Sequence, residues 1–381
     1  MRGQNPTSAM TVLLTLCLGS LGADPWPIQG CPGPQCVVNS LAELAANNQF
    51  HNAIDIPTPL GATVLAIQPG CFYPDWRSTA YGSCQVAFYP EGTPQENTTY
   101  MHTEALPDPY DWEAGHEVAI QDPICRVKAH DAYHHLHLGT DRGGVSRSNP
   151  LKALQPAATF TPPVIKPLTP THNAPLLLVR DGRSLSGAFT YGQVGGGEQG
   201  FIVTEECDVL AWVESVSTGN VPAGATGFES NAPCLPYCAS LSIARLQDGG
   251  SVEVLSKTLF RLDQCPDTYT GASTEKAPLL FETAASIPYK KMVAVLTNCD
   301  GSGDYQNMEN VGPSGDDDPH DYCWDVNAVT PAGDWQFPNG IYQVTATVTD
   351  TANQSVSASV LALIDHSMVK ALSQLPAPPP E

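Results

Sequence analysis

Two short stretches hold the residue types that do chemistry most readily. Tyr133-His-His-Leu-His-Leu138 reads as extended chain, in which side chains two apart project to the same side. His135 and His137 therefore share one face while Leu136 and Leu138 take the other. Upstream, Phe50-His-Asn-Ala-Ile-Asp-Ile56 sets Asp55 between apolar residues, where a carboxylate without a partner is costly to bury. A metal cation removes that cost. His51, Asp55 and one histidine of the pair supply two nitrogens and an oxygen, and a fourth position left to water is the open arrangement of a catalytic zinc site. Taken singly the same letters also occur on solvated surfaces, so they acquire meaning only if the fold brings them together. Other signatures are absent: there is no Gly-x-Ser-x-Gly elbow and no Walker loop, and His116-Glu117 is not completed to the zincin pattern because position 120 is Ile.

The elements that must position these groups read as strands. Seven of the ten histidines fall between His51 and His137. Around them short β-branched or aromatic runs such as Ala62–Gln68, Cys84–Tyr89 and Glu117–Gln121 alternate with Gly, Pro and Asp turns, which predicts an all-β unit over residues 24–160. Residues 161–175 open with Thr161-Pro-Pro-Val-Ile-Lys-Pro-Leu-Thr-Pro170, which cannot pair as a central strand and reads as a Pro-rich linker. Beyond it, Ile341–Thr349 alternates for nine residues, turns near Asp350–Gln354 and resumes at Ser355–Leu363. That is a sandwich-type hairpin, and residues 176–370 read as a decorated Ig-like β-sandwich, followed by a disordered proline tail at 371–381. The acidic runs Asp300–Glu309 and Asp316–Asp321 lack the EF-hand spacing and read as solvated loop.

In order and spacing, His51-x-x-x-Asp55, Tyr100-Met-His102 and His135-Leu-His137 resemble the lysostaphin-type, LytM-like zinc metallopeptidases. Gly61-Ala-Thr-Val-Leu-Ala66 is similar to the family's Gly-Thr-Pro-Val-x-Ala strand, and Ala114-Gly-His-Glu-Val118 is similar to its Gly-Gln-x-Val turn. The likeness runs from about Gln49 to Gly139, roughly a quarter of the chain. It implies an antiparallel β-sheet peptidase domain in which His51, Asp55 and His137 bind Zn2+, while His102 and His135 face the zinc-activated water and the substrate carbonyl as catalytic residues. It further implies an endopeptidase acting on small-residue peptides, in the stems or cross-bridges of peptidoglycan. Ala53, where the family often has Gly, and His116, where Gln is common, depart from the pattern. Two other readings use the same β architecture: a catalytically inactive LytM-like scaffold that binds peptide or regulates a cell-wall enzyme, and an adhesion or carbohydrate-binding protein that works through its sandwich.

Charge and export signals bound the setting. Seventeen Lys plus Arg against thirty-nine Asp plus Glu give a net charge of −22, which opposes attraction to nucleic acid or anionic lipid. Arg2, the apolar run Met10–Leu18 and the small residues Gly19–Ala23 read as a signal peptide over residues 1–23, so the mature chain is expected near Asp24, secreted or periplasmic, with no membrane span. In such a compartment disulfides persist. Close spacing suggests Cys31 with Cys36, Cys71 with Cys84, Cys234 with Cys238 and Cys299 with Cys323.

Overall fold

The computed structural model describes residues 24–29, 37–38, 40–43, 50–76, 82–89, 91–92, 94–107, 113–129, 134–142, 145–155, 162–168, 174–180, 185–216, 225, 233–263, 265, 281, 292–297 and 324–368. The stretch read as a signal peptide, the acidic runs, the segment read as a tail and the pairs Cys31/Cys36 and Cys299/Cys323 lie outside these residues. Among the described residues no helix is long and apolar enough to cross a membrane.

The chain is all-β, as its alternating runs predict. In the first unit a seven-stranded sheet runs in the order Val145–Ser148, His135–Arg142, Glu96–Met101, Ser83–Phe88, Gly70–Asp75 and His116–Val118, with Ile54–Pro57 also paired to His135–Arg142. All of these pairings are antiparallel. Alternation then sorts the side chains. Ile54, Ile56, Phe72, Val86, Tyr100, Leu136 and Leu138 fill the core between this sheet and a smaller one made of Thr63–Leu65, Pro123–Val127 and Thr103–Glu104. The outward set includes Asp55, Met101 and His137, cross-strand neighbours in register.

The second unit is a sandwich. One sheet centres on Cys207–Val216, which pairs with Val164–Lys166, Leu176–Arg180, Pro233–Cys234 and Val293–Val295. The other has the order Thr190–Gly195, Glu198–Val203, Ser355–Ile364, Gly340–Thr349, Cys238–Gln247 and Gly250–Arg261. Trp324, Phe201, Phe260 and Tyr342, all fully buried, pack between them. The hairpin read from the alternation is present, with Thr349 opposite Ser355. Its turn is held by the Asp350 carboxylate, which accepts from the backbone N–H of Ala352 (2.9 Å) and Gln354 (2.8 Å).

Three expectations change. Val164–Lys166, inside the stretch read as a linker, is a strand paired to Cys207–Val216, flanked by Pro163 and Pro167 where no ladder bond is required. Cys71 and Cys84 are not bridged: Cys71 is opposite Ala87 and Cys84 opposite Pro74, which places them on opposite faces of adjacent strands. Cys234 and Cys238 are not bridged either; Cys234 is buried with its thiol toward the Val37 carbonyl (3.6 Å). His366 is buried, stacked on Trp335 (3.9 Å between centroids) with Nε2 2.9 Å from the Phe337 carbonyl.

The two units are not separate bodies joined by a thread. Leu41, Ala42 and Phe50 belong to the sandwich core, and Cys234 belongs to the core of the first unit. Asn149 bonds across to Leu262 and Asp263, and the Lys152 ammonium pairs with the Asp263 carboxylate.

Candidate metal centre

Antiparallel register does most of the positioning. Asp55 lies directly opposite His137, and His135 opposite Pro57, so both imidazoles stand over the carboxylate's strand. His51, four residues before Asp55, reaches the same point from the segment that enters the strand. The result is a cluster: His137 Nδ1 lies 2.9 Å from Asp55 Oδ1, His51 Nε2 lies 3.3 Å from the same oxygen, and His51 Nε2 and His137 Nδ1 are 3.2 Å apart. His135 Nε2 is 3.6 Å from Asp55 Oδ1. His102 completes the group, its ring 4.5 Å from that of His135 and 5.7 Å from that of His137.

Those separations test the fit of a metal ion. Bonds of about 2.0–2.1 Å in a tetrahedral zinc site put neighbouring ligand atoms about 3.3 Å apart. His51 Nε2, Asp55 Oδ1 and His137 Nδ1 meet that spacing to within a few tenths of an ångström. His51 is oriented to match. A backbone carbonyl only accepts, so the 2.9 Å contact between His51 Nδ1 and the Ser40 carbonyl places a proton on Nδ1 and turns Nε2 toward the cluster. His102, His135 and His137 form a second triad whose donor atoms lie within 4.8 Å of one another.

Electrostatics point the same way. Burial pushes the Asp55 carboxyl up, yet the neighbouring His51 and His135 charges and hydrogen bonds from His137 and His51 hold it well below the usual carboxylate range. Burial pushes the His51 imidazole down, but Asp55, the Ser40 carbonyl and Glu43 outweigh it and raise its pKa to about 9. The pocket therefore concentrates negative potential on groups that are almost fully buried, and it stabilises a positive charge whether proton or metal.

His102 needs a special backbone. It has φ of +61°, between the strands Glu96–Met101 and Thr103–Glu104, a left-handed conformation that costs a non-glycine residue on the order of 1 kcal/mol. The turn carries the chain from the large sheet to the small one and directs the imidazole toward the cluster; the Lys128 N–H, bonded to the His102 carbonyl (2.8 Å), secures it.

All five residues singled out by the sequence thus meet in one place. His116 is exposed and lies outside the cluster, as does His134, whose carbonyl accepts from the Thr58 N–H. Two participants escaped the sequence reading. Ser40 supports His51, and Glu43, fully buried, accepts hydrogen bonds from the Ser40 N–H (2.5 Å) and hydroxyl (2.6 Å). The Ser-x-x-Glu spacing of a capping box was their signal.

No protein family and no curated protein matches the chain. Among solved structures it is similar to Csd3 from Helicobacter pylori at 17% identity, over 36% of this chain and 36% of that one, with a TM-score of 0.28. It is similar to a chain of the SpoIIQ–SpoIIIAH pore-forming complex at 18% identity, over 37% of this chain and 100% of the other, with a TM-score of 0.28. Lysostaphin, the antimicrobial peptidase from Staphylococcus simulans, is 16% identical over 51% of this chain and 96% of its own, with a TM-score of 0.23. The chain spans little more than a third of the length of Csd3.

Proposed function

We propose that this chain is an extracytoplasmic zinc-dependent endopeptidase that hydrolyses small-residue peptide links, with peptidoglycan stems or cross-bridges as its substrate class. The observation that carries the reading is the convergence of His51 Nε2, Asp55 Oδ1 and His137 Nδ1 within 3.3 Å of one another, with two further imidazoles alongside. Two nitrogens and one carboxylate oxygen suit zinc, and three protein ligands leave a position for chemistry. A zinc ion held there supplies a Lewis acid for the scissile carbonyl and an acidified water.

The chain's own residues do the rest. His51, Asp55 and His137 hold the ion, and Asp55 offsets its charge. His102 and His135 flank the ligands, where one neutral imidazole accepts the proton of the attacking water and passes it to the leaving amine. The other donates a hydrogen bond to the oxygen on which charge develops. Met101 and Ser83 continue the outward face beside His137, Met101 opposite His137 and Ser83 opposite Met101, giving an uncharged floor on which an extended peptide can lie.

The test combines metal analysis of the mature protein with mass spectrometry of peptidoglycan before and after digestion. One zinc per chain and new amino termini at small residues are expected. A chain that binds zinc and leaves the wall peptides intact refutes the substrate class, and a chain without zinc refutes the activity.

A further inference from the structure

His51 is held from both sides by the sandwich, and this bears on the metal centre. Immediately before it, the Phe50 ring is buried in the sandwich core, 6.3 Å from the Phe281 ring. Along its backbone, the Ala42 N–H donates to the His51 carbonyl (2.6 Å) and the His51 N–H donates to the Glu43 carbonyl (2.8 Å). The imidazole itself donates to the Ser40 carbonyl (2.9 Å). Ser40 and Glu43 are fastened in turn to the second unit. The Leu235 N–H, at the end of the strand Pro233–Cys234, is shared between Ser40 Oγ (3.0 Å) and Glu43 Oε1 (3.2 Å). Glu43 Oε1 therefore accepts from the Ser40 N–H, the Ser40 hydroxyl and the Leu235 N–H at once, and every member of the knot is buried.

We propose that Ser40 and Glu43, clamped by Leu235, are positioning residues for the metal ligand His51, so that the sandwich is a working part of the metal centre rather than an appended module. This rests on the reading of His51, Asp55 and His137 as zinc ligands. The physical cause is ordinary. A ligand imidazole binds tightly when its second nitrogen is committed to an oriented acceptor, and loss of such an outer partner typically weakens a metal site about 10–100-fold. The acceptor here is a loop carbonyl, and a loop carbonyl is only as well oriented as the bonds that hold its loop.

The full-length mature protein and its Glu43→Ala, Glu43→Gln and Ser40→Ala variants are to be compared. Zinc affinity is read by competition with a chromophoric chelator, the ligand field by the visible spectrum of the Co2+ form, and folding by thermal denaturation of the metal-free chains. Glu43→Ala is expected to weaken zinc about 10–100-fold and to alter the Co2+ bands. Glu43→Gln, which keeps an accepting oxygen, is expected to restore both. Ser40→Ala, which removes only the hydroxyl, should fall between. Wild-type affinity with an unchanged Co2+ spectrum in Glu43→Ala overturns the positioning role, as does a Gln variant as impaired as the Ala variant. If Glu43→Ala does not fold, Ser40→Ala decides by the same two readouts, and unchanged values overturn the proposal. A wild-type chain that holds no zinc overturns the functional reading as well, whereas zinc in the wild type and in Glu43→Ala alike overturns the positioning role alone.

Discussion

The outward faces of two antiparallel strand pairs, one in each unit, are built on the same plan and end in opposite chemistry. In the sandwich hairpin the inner positions Tyr342, Val344, Ala346 and Val348 are buried, and the outer positions form three hydroxyl pairs: Thr345 with Ser359, Thr347 with Ser357 and Thr349 with Ser355, at 2.7–2.8 Å. In the first unit Leu136 and Leu138 are just as buried, while the outer positions of the same strand hold His135 and His137. The hydroxyl pairs are exposed and satisfy one another. His135 is only 6% exposed, because His51, Asp55 and His102 crowd the face it projects from. Strand alternation supplies a row of outward side chains in either case. The row becomes a site where segments from elsewhere in the chain enclose it, lowering the local dielectric and making each charge count.

This contrast can be broken at several points. Asp55→Ala or His51→Ala should abolish zinc retention and with it hydrolysis, read by metal analysis and by release of wall peptides; zinc still bound at one per chain would mean that the face is no metal centre. Removing an inner side chain should act on stability instead. Leu138→Ala is expected to cost about 2–5 kcal/mol, measured by denaturant unfolding, since the residue is fully buried. His102→Ala should keep zinc and slow hydrolysis roughly 10²-fold or more. Equal turnover would remove His102 from the reaction.

A smaller effect is expected where the units meet. Burial pushes the Asp263 carboxyl up, but hydrogen bonds from Lys152 and Tyr237 and the charges of Lys152 and Arg261 hold it below its ordinary value. A depressed carboxylate stabilises the fold above the unfolded pKa, and that contribution is lost as pH falls through the folded one. Asp263→Asn should therefore lower stability by about 1 kcal/mol or less at pH 7, since the group is partly exposed, with the deficit closing below roughly pH 4 in melting curves taken across that range. The smallest change is Thr347→Val on the hydroxyl face, expected within about 0.5 kcal/mol and without effect on zinc.

What the sequence disclosed and what it withheld divide along locality. His135 and His137 share a face because adjacent residues on a strand point opposite ways, a fact two letters are enough to state. The hairpin Gly340–Thr349 with Ser355–Ile364 was legible for the same reason. That His51 and Asp55 would meet His137 could be read only from the joint spacing of three motifs, since their approach is set by register across more than eighty residues. The clamp of Ser40 and Glu43 on Leu235 depends on a contact 195 residues away and on no local rule. Cys71 and Cys84 misled through nearness in sequence, which says nothing about the face each occupies. The burial of His366 rests on stacking against Trp335, a contact that no local pattern around the histidine announces. Val164–Lys166 was hidden by its flanking prolines, which are tolerated at a strand's ends and forbidden in its middle.

The reach from Ser40 to Leu235 also sets a timetable. A growing polypeptide that has not yet extended past residue 235 already contains all five groups of the cluster, but not the Leu235 N–H to which Ser40 and Glu43 are tied. Contacts so remote form late, after the intervening chain has collapsed and paired. On the reading of these groups as zinc ligands, a product terminated before residue 235 should therefore hold zinc more weakly than the full chain, although every reactive letter is in place.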